Sequence, residues 1–319
     1  MKKPSIGRNG DPKIPTMKIY YHDLFTFPLP DKHRFPIEKY KLLRERIVAE
    51  GLVMEEDLHI PAPATDEQLL LAHTQEYIDK VKRGDLTDQE TRRIGFPWSE
   101  QLVERSRRSV GSTIEACRTA LAEGMAVNLA GGTHHAGRDH GEGFCVFNDA
   151  AVASRVMQRE GRVSQIAIID TDVHQGNGTA NILKDDPSIF TFSIHGEKNF
   201  PFRKETSDLD TPLPDGAGDE EFLLALEDAL VKVFSSTTPD LIIYLAGADP
   251  FEGDRLGRLA ISKAGLAQRD RMVLGECMSR GLPVAIVMGG GYAPKVEDIV
   301  DIHAQTIRIA LEFERLQTK

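Results

Sequence analysis

A chain of 319 residues with 40% hydrophobic content is long enough for one large α/β domain or two medium ones. Its formal net charge of −10 excludes a general nucleic-acid binder, which needs a basic face for phosphates, but not recognition of a basic or neutral substrate. Cys117, Cys145 and Cys277 are an odd set without C-x-x-C spacing, which fits free thiols in a reducing compartment rather than a disulfide framework.

Residues 1–16 carry two lysines but no apolar segment, so they read as a loose extension rather than a secretory leader, ahead of a domain spanning 17–319. No stretch approaches the roughly 20 apolar residues of a membrane span, so the expected location is cytoplasmic, with no membrane partner. MKIYY at 17–21 predicts a first strand, and 35–50 an amphipathic helix closed by Gly51. Thr65, with Gln68 three residues later, has the capping-box spacing and predicts a helix running to about Arg83. A polar loop holding GFPW at 95–98 then leads into a long helix from Ser99 to Glu123.

From there strands at 125–130, 165–169, 189–194, 241–246 and 283–288 are expected, with helices at 148–160, 219–234, 262–280 and 295–316. Strands such as LIIYLA and PVAIVM are apolar throughout instead of alternating, which indicates burial on both faces. The expected fold class is therefore a single α/β domain, a mostly parallel sheet with helices on both faces.

In such sheets, sites form beyond the carboxyl ends of the strands. Those ends carry Gly131-Gly132-Thr133-His134-His135, then Asp170-Thr171-Asp172-Val173-His174, then Gly247-Ala248-Asp249, then Gly289-Gly290-Gly291-Tyr292. In an extended backbone residues i and i+2 point to the same side, so Asp172 and His174 can converge. With Asp249 they make two carboxylates and one imidazole, a set that leaves a metal position open for water or substrate. The paired histidines suit proton transfer near neutral pH, although a second metal site or a solvated turn would also use them. Asp249 taken alone reads as a helix N-cap, and Tyr292 taken alone as a packing residue before the last helix.

The segments GGTHHAGRDHGEGFCVFNDAAVA, IAIIDTDVHQGNGTA, TPLPDGAGDEEF, LAGADPFEGDRLG and GGGY occur in the order found in histone deacetylases. The chain resembles the zinc-dependent histone deacetylase superfamily, with its arginase-like fold. The HQGNG form is similar to class IV deacetylases and their bacterial relatives. The resemblance implies removal of acetyl or longer acyl groups from lysine in a protein or peptide. It implies Zn2+, with Fe2+ as a substitute, on Asp172, His174 and Asp249. His134 and His135 form the histidine pair, with His135 as general base and acid. Tyr292 polarises the carbonyl, and Asp170 orients His134. Gly143 and Phe144 supply one wall of a substrate tunnel, Phe200 the opposite wall and Leu256 the rim. A structural K+ or Na+ is implied at Asp170, Asp172, His174, Ser193 and Ile194.

Most relatives carry HHGDG where this chain has Gln175 and Asn177. Asn177 replaces a carboxylate that would pair with His135, and a neutral amide stabilises an imidazolium far less. Two other readings stand beside the main one. An acetylpolyamine or other small acyl-amine hydrolase would share the fold, whereas Pro250-Phe251-Glu252 after Asp249 disfavours an arginase. A catalytically silent acyl-lysine binding protein would keep the fold without the reaction.

Overall fold

The structure is a computed structural model that describes residues 17–317, so the expected extension at 1–16 lies outside the described residues. Its strands are β1 (Lys18–Tyr20), β2 (Leu58–His59), β3 (Met125–Asn128), β4 (Ile166–Asp170), β5 (Ile189–Gly196), β6 (Leu209–Leu213), β7 (Leu241–Leu245) and β8 (Val284–Val287). They form one sheet in the order β2-β1-β3-β8-β7-β4-β5-β6, and every pairing is parallel. Every residue of β3, β4, β7 and β8 is buried. Removing an Ile or Leu side chain such as Ile168 or Leu245 from water contributes about 1.5–3 kcal/mol, which is why these strands show no polar face.

The helices are α1 (Lys39–Ala49), α2 (Asp66–Leu69), α3 (Gln75–Arg83), α4 (Asp88–Ile94), α5 (Glu100–Glu123), α6 (Asp149–Arg159), α7 (Asn177–Leu183), α8 (Asp219–Ser236), α9 (Lys263–Ser279) and α10 (Val296–Gln317). They pack in two groups. In one, α5 lies against α6 and against β3 and β8; in the other, α1, α10, α9 and α8 follow one another.

Several local expectations change. The capping box at Thr65 and Gln68 is present, but the helix it starts stops at Leu69, and Thr74 caps a separate α3. Tertiary bonds explain the break. The buried His73 between the two helices faces the Gly137 carbonyl through Nδ1 at 3.0 Å and accepts the Asn148 N–H at Nε2, 2.9 Å away. The loop before GFPW holds α4, whose start at Thr87 and Glu90 is a second capping box. Strand β6 contains Pro212 and matches no element expected from the sequence. It is an edge strand, where a residue without an N–H is tolerated. The QGNG turn opens directly into α7 at Asn177.

The strand order sets the site. β8, β7 and β4 are adjacent, so the turns at 289–292, 247–249 and 170–174 leave the sheet side by side, with the 131–135 turn next to β8.

Gly111 lies inside α5, where alanine normally adds about 1 kcal/mol of stability. Here an added Cβ would stand 1.9 Å from the Ala62 carbonyl oxygen, a backbone atom. Gly111→Ala should therefore destabilise by about 1–3 kcal/mol, read as a lower urea midpoint. An unchanged or raised midpoint would show that the 61–64 segment yields freely.

Candidate active site

Beyond β4 and β7, Asp172, His174 and Asp249 turn toward one point, all of them buried, with one donor atom from each within 4.8 Å of the others. His174 Nδ1 is 3.0 Å from Asp172 Oδ1 and 3.2 Å from Asp249 Oδ2. The other oxygens are held by backbone: Gly290 N–H donates to Asp172 Oδ2 at 2.8 Å, and Val173 N–H to Asp249 Oδ1 at 3.0 Å. Asp249 Oδ2 is buried with no well-aligned hydrogen bond, only the His174 ring 3.2 Å away. A buried carboxylate oxygen left so calls for a cation. Burial alone would lower the His174 pKa, but the two carboxylates outweigh it and raise it to about 10. Burial and the Asp172 charge push Asp249 up to about 7. The cluster thus keeps a proton where a metal ion would sit, and its donor set fits zinc. Gly290 makes room for it, because a Cβ there would come 1.7 Å from Asp249 Oδ2.

The histidine pair lies on a loop stapled by Asp149, the first residue of α6. Its carboxylate accepts Thr133 N–H at 2.7 Å, Thr133 Oγ1–H at 2.6 Å and Gly132 N–H at 3.1 Å. His134 Nδ1 is 2.6 Å from Asp170 Oδ2. Burial opposes a charge on His134, yet Asp170 and Asp172 prevail and raise its pKa to about 9. His135 Nδ1 instead meets the amide oxygen of Asn177 at 2.6 Å, while the Asn177 Nδ2 donates to Glu142 Oε2 at 3.3 Å. Glu142 is held in turn by Arg93 Nε at 3.1 Å. This chain sets the tautomer: Asn177 presents its oxygen, so His135 carries its proton on Nδ1 and leaves Nε2 as a base. Burial, followed by the charges of His134 and His174, keeps the His135 pKa well below the ordinary value.

A cavity of about 520 Å³ opens over this floor, lined by His135, His174 and Tyr292 together with Gly143, Phe144, Phe200 and Leu256. Gly143 and Phe144 have φ of +55° and +66°, and their N–H groups donate to the carbonyls of Arg93 and Ile94 at the end of α4. A Cβ at Gly143 would meet the His135 ring at 2.7 Å. The Phe200 ring stands edge-on to His135 with centroids 4.9 Å apart, and Phe144 lies 5.8 Å from Tyr292. Tyr292 meets His174 edge-on at 6.2 Å, and burial with the nearby Asp249 and Asp172 pushes its pKa well above 10. It sits in the turn before α10, anchored by its N–H to Asp254 Oδ2 at 2.6 Å. Asp254 Oδ1 also accepts the N–H of Leu256 at 2.8 Å, tying the rim to the Tyr292 turn.

Asp170 lies behind His134, and Ser193 is its register partner on β5, with Ile194 next along that strand. These two lie beside the metal-type cluster and outside the cavity lining. Asp249 is followed by a turn, so the helix N-cap alternative does not hold. Glu142 and Asp254 sit in the motifs GEGFC and EGDRLG without a signal of their own, because the contacts that matter, Asn177 and Arg93 for Glu142 and the Tyr292 N–H for Asp254, are distant in the chain. All three cysteines are free and buried. Among the described residues no helix is long and apolar enough to cross a membrane.

Zn2+ added to chelator-treated protein should raise its thermal midpoint, by the equivalent of about 4 kcal/mol at a thousandfold excess over Kd. The rise should shrink as pH falls, because protons compete for His174 and Asp249. Asp249→Ala should abolish it; a full rise in that variant would place the metal elsewhere.

Residues 33–307 match the histone deacetylase domain. The chain is 44% identical over 292 residues to an uncharacterized protein of Picosynechococcus sp., a match covering 92% of this chain and 97% of that one. It is 29% identical over 280 residues to histone deacetylase 2 of Arabidopsis thaliana, covering 85% and 72% of the two chains. The crystal structure of an HDAC homolog from Aquifex aeolicus superposes with a TM-score of 0.78 at 27% identity, covering 94% of this chain and 84% of that one. With the domain match spanning β2 to β8 and the whole cluster at the strand ends, the chain belongs to the histone deacetylase family of deacetylase hydrolases.

Proposed function

We propose that this enzyme removes acetyl or longer acyl groups from the ε-amino nitrogen of lysine in a peptide or protein. The observation that carries the reading is one cavity with His135, His174 and Tyr292 at its floor and the Phe144 and Phe200 rings on its sides. Its size suits a substrate side chain. Asp172, His174 and Asp249 would hold Zn2+ or Fe2+, which supplies a Lewis acid for the amide carbonyl and a lowered pKa for water.

The remaining chemistry belongs to the chain itself. Phe144 and Phe200 enclose the apolar lysine stem and keep bulk water away from the amide. Tyr292 stays protonated at neutral pH because burial opposes its ionisation, so it donates a hydrogen bond to the carbonyl oxygen as charge develops there. His135 is neutral, and its free Nε2 takes the proton of the attacking water. It then returns that proton to the leaving nitrogen as the C–N bond breaks, giving a free amine and a carboxylic acid. His134, held by Asp170, carries a positive charge behind His135 that keeps the latter from protonating too early. The reading includes a K+ or Na+ at Asp170, Asp172, His174, Ser193 and Ile194, supported by the adjacency of Asp170 and Ser193 across β4 and β5. HQGNG supports placement near the class IV enzymes, and the lack, among the described residues, of a helix long and apolar enough to cross a membrane is compatible with a cytoplasmic location.

Purified protein assayed with metal analysis against lysine peptides bearing acetyl, longer acyl or no acyl groups, and against free acetylated amines, tests the assignment. Turnover of acyl-lysine supports it. Turnover of free amines alone would make the enzyme a small acyl-amine hydrolase, and zinc-free, inactive protein would make it a binding protein.

Tyr292→Phe should keep its metal while kcat falls about 10²–10³-fold; undiminished activity would remove the phenol from the mechanism. Asn177→Asp should raise the His135 pKa, since a carboxylate stabilises the imidazolium. A base acts when deprotonated, so the acidic limb of the kcat/KM profile should move to higher pH. An unmoved limb would show that the amide does not tune His135.

A further inference from the structure

The cavity mouth carries charge opposite to that of the whole chain. Arg34, Arg92, Arg93, Lys198, Arg255 and Arg258 line it, and Glu142 is the one carboxylate among its described lining residues, within a protein of net charge −10. Glu142 already takes Arg93, and Arg258 pairs with Asp215 at 3.2 Å. Arg34, Arg92, Lys198 and Arg255 are exposed and make no ion pair among the described residues. The six come from the loop before α1, the end of α4, the turn after β5 and the loop after β7, so they surround the opening instead of forming one patch.

Single exposed charges contribute little, but a concave opening ringed by one sign of charge focuses its field on an approaching ligand. A polyamine or a lysine-rich tail would bring several positive charges against this ring. An acyl-lysine flanked by carboxylates would place them beside free guanidinium groups that match carboxylate geometry. We infer that this enzyme selects acyl-lysine set among aspartate and glutamate residues, and discriminates against acylated polyamines and basic tails. The inference rests on the lysine-deacylase reading above and names its substrate class.

The test uses acetyl-lysine peptides identical except for acidic, neutral or basic residues at the two positions on either side, with an acetylated polyamine as a further arm. Both kcat/KM for deacetylation and Kd by fluorescence anisotropy are measured at low and high salt. The acidic peptide should exceed the basic one by about 10-fold or more in kcat/KM at low salt, with a ratio that falls toward one at high salt. The double variant Arg92→Glu with Arg255→Glu should reverse the order, and the wild-type salt dependence decides the matter even if that variant fails to fold. Turnover without an acidic preference, or with a basic one, overturns this inference and leaves the deacylase reading standing. Selective binding of acidic peptides without turnover does the opposite. Neither binding preference nor turnover overturns both.

Discussion

Two buried carboxylates facing one another need positive charge between them, and that requirement organises this molecule. Asp172 and Asp249 leave adjacent strands, β4 and β7, and each has one oxygen fixed by a backbone N–H. Their remaining oxygens face His174 Nδ1. The glycines at the strand ends follow from this crowding: a side chain at 290 would collide with Asp249, and one at 247 would meet the Asp172 backbone at 2.6 Å. The adjacency of β8, β7 and β4 is what lets three turns bring the two carboxylates, the imidazole and their N–H supports to one point.

The same economy of contacts separates two neighbouring histidines. His134 and His135 are consecutive, both buried, with ring centroids 4.1 Å apart. Only the partner of each Nδ1 differs in kind. A carboxylate behind His134 makes it a cation, whereas an amide behind His135 leaves it neutral, and the first charge reinforces the second state. Two adjacent residues are thereby held in different charge states within one site.

Much of this was legible in the residues. Period and apolar character located β3, β4, β5, β7 and β8, and the strand ends named the metal-type cluster, both histidines and Tyr292, because each lies within a few residues of the strand that delivers it; Asp172 and His174, however, stand in a bend beyond β4 and not in the extended backbone expected of them. The N-cap at Thr65 followed from local chemistry as well. What failed locally failed for tertiary reasons. The helix through His73 breaks because that imidazole bonds to Gly137 and Asn148, which lie more than 60 residues away. β6 escapes detection because its Pro212 is acceptable only at a sheet edge.

By itself, then, the sequence determined which groups stand at the ends of the strands, since alternation and backbone direction are local properties. Only the tertiary structure decided how those groups are charged and how closely they stand to their partners. Whether a histidine is a cation or a base depends on a carboxylate or an amide from another strand end, as Asp170 and Asn177 show. The sign of the cavity mouth depends on cations gathered from residue 34 to residue 258, which form no run in the chain and oppose its total charge. Electrostatic energy falls with distance through space, and the fold alone sets those distances.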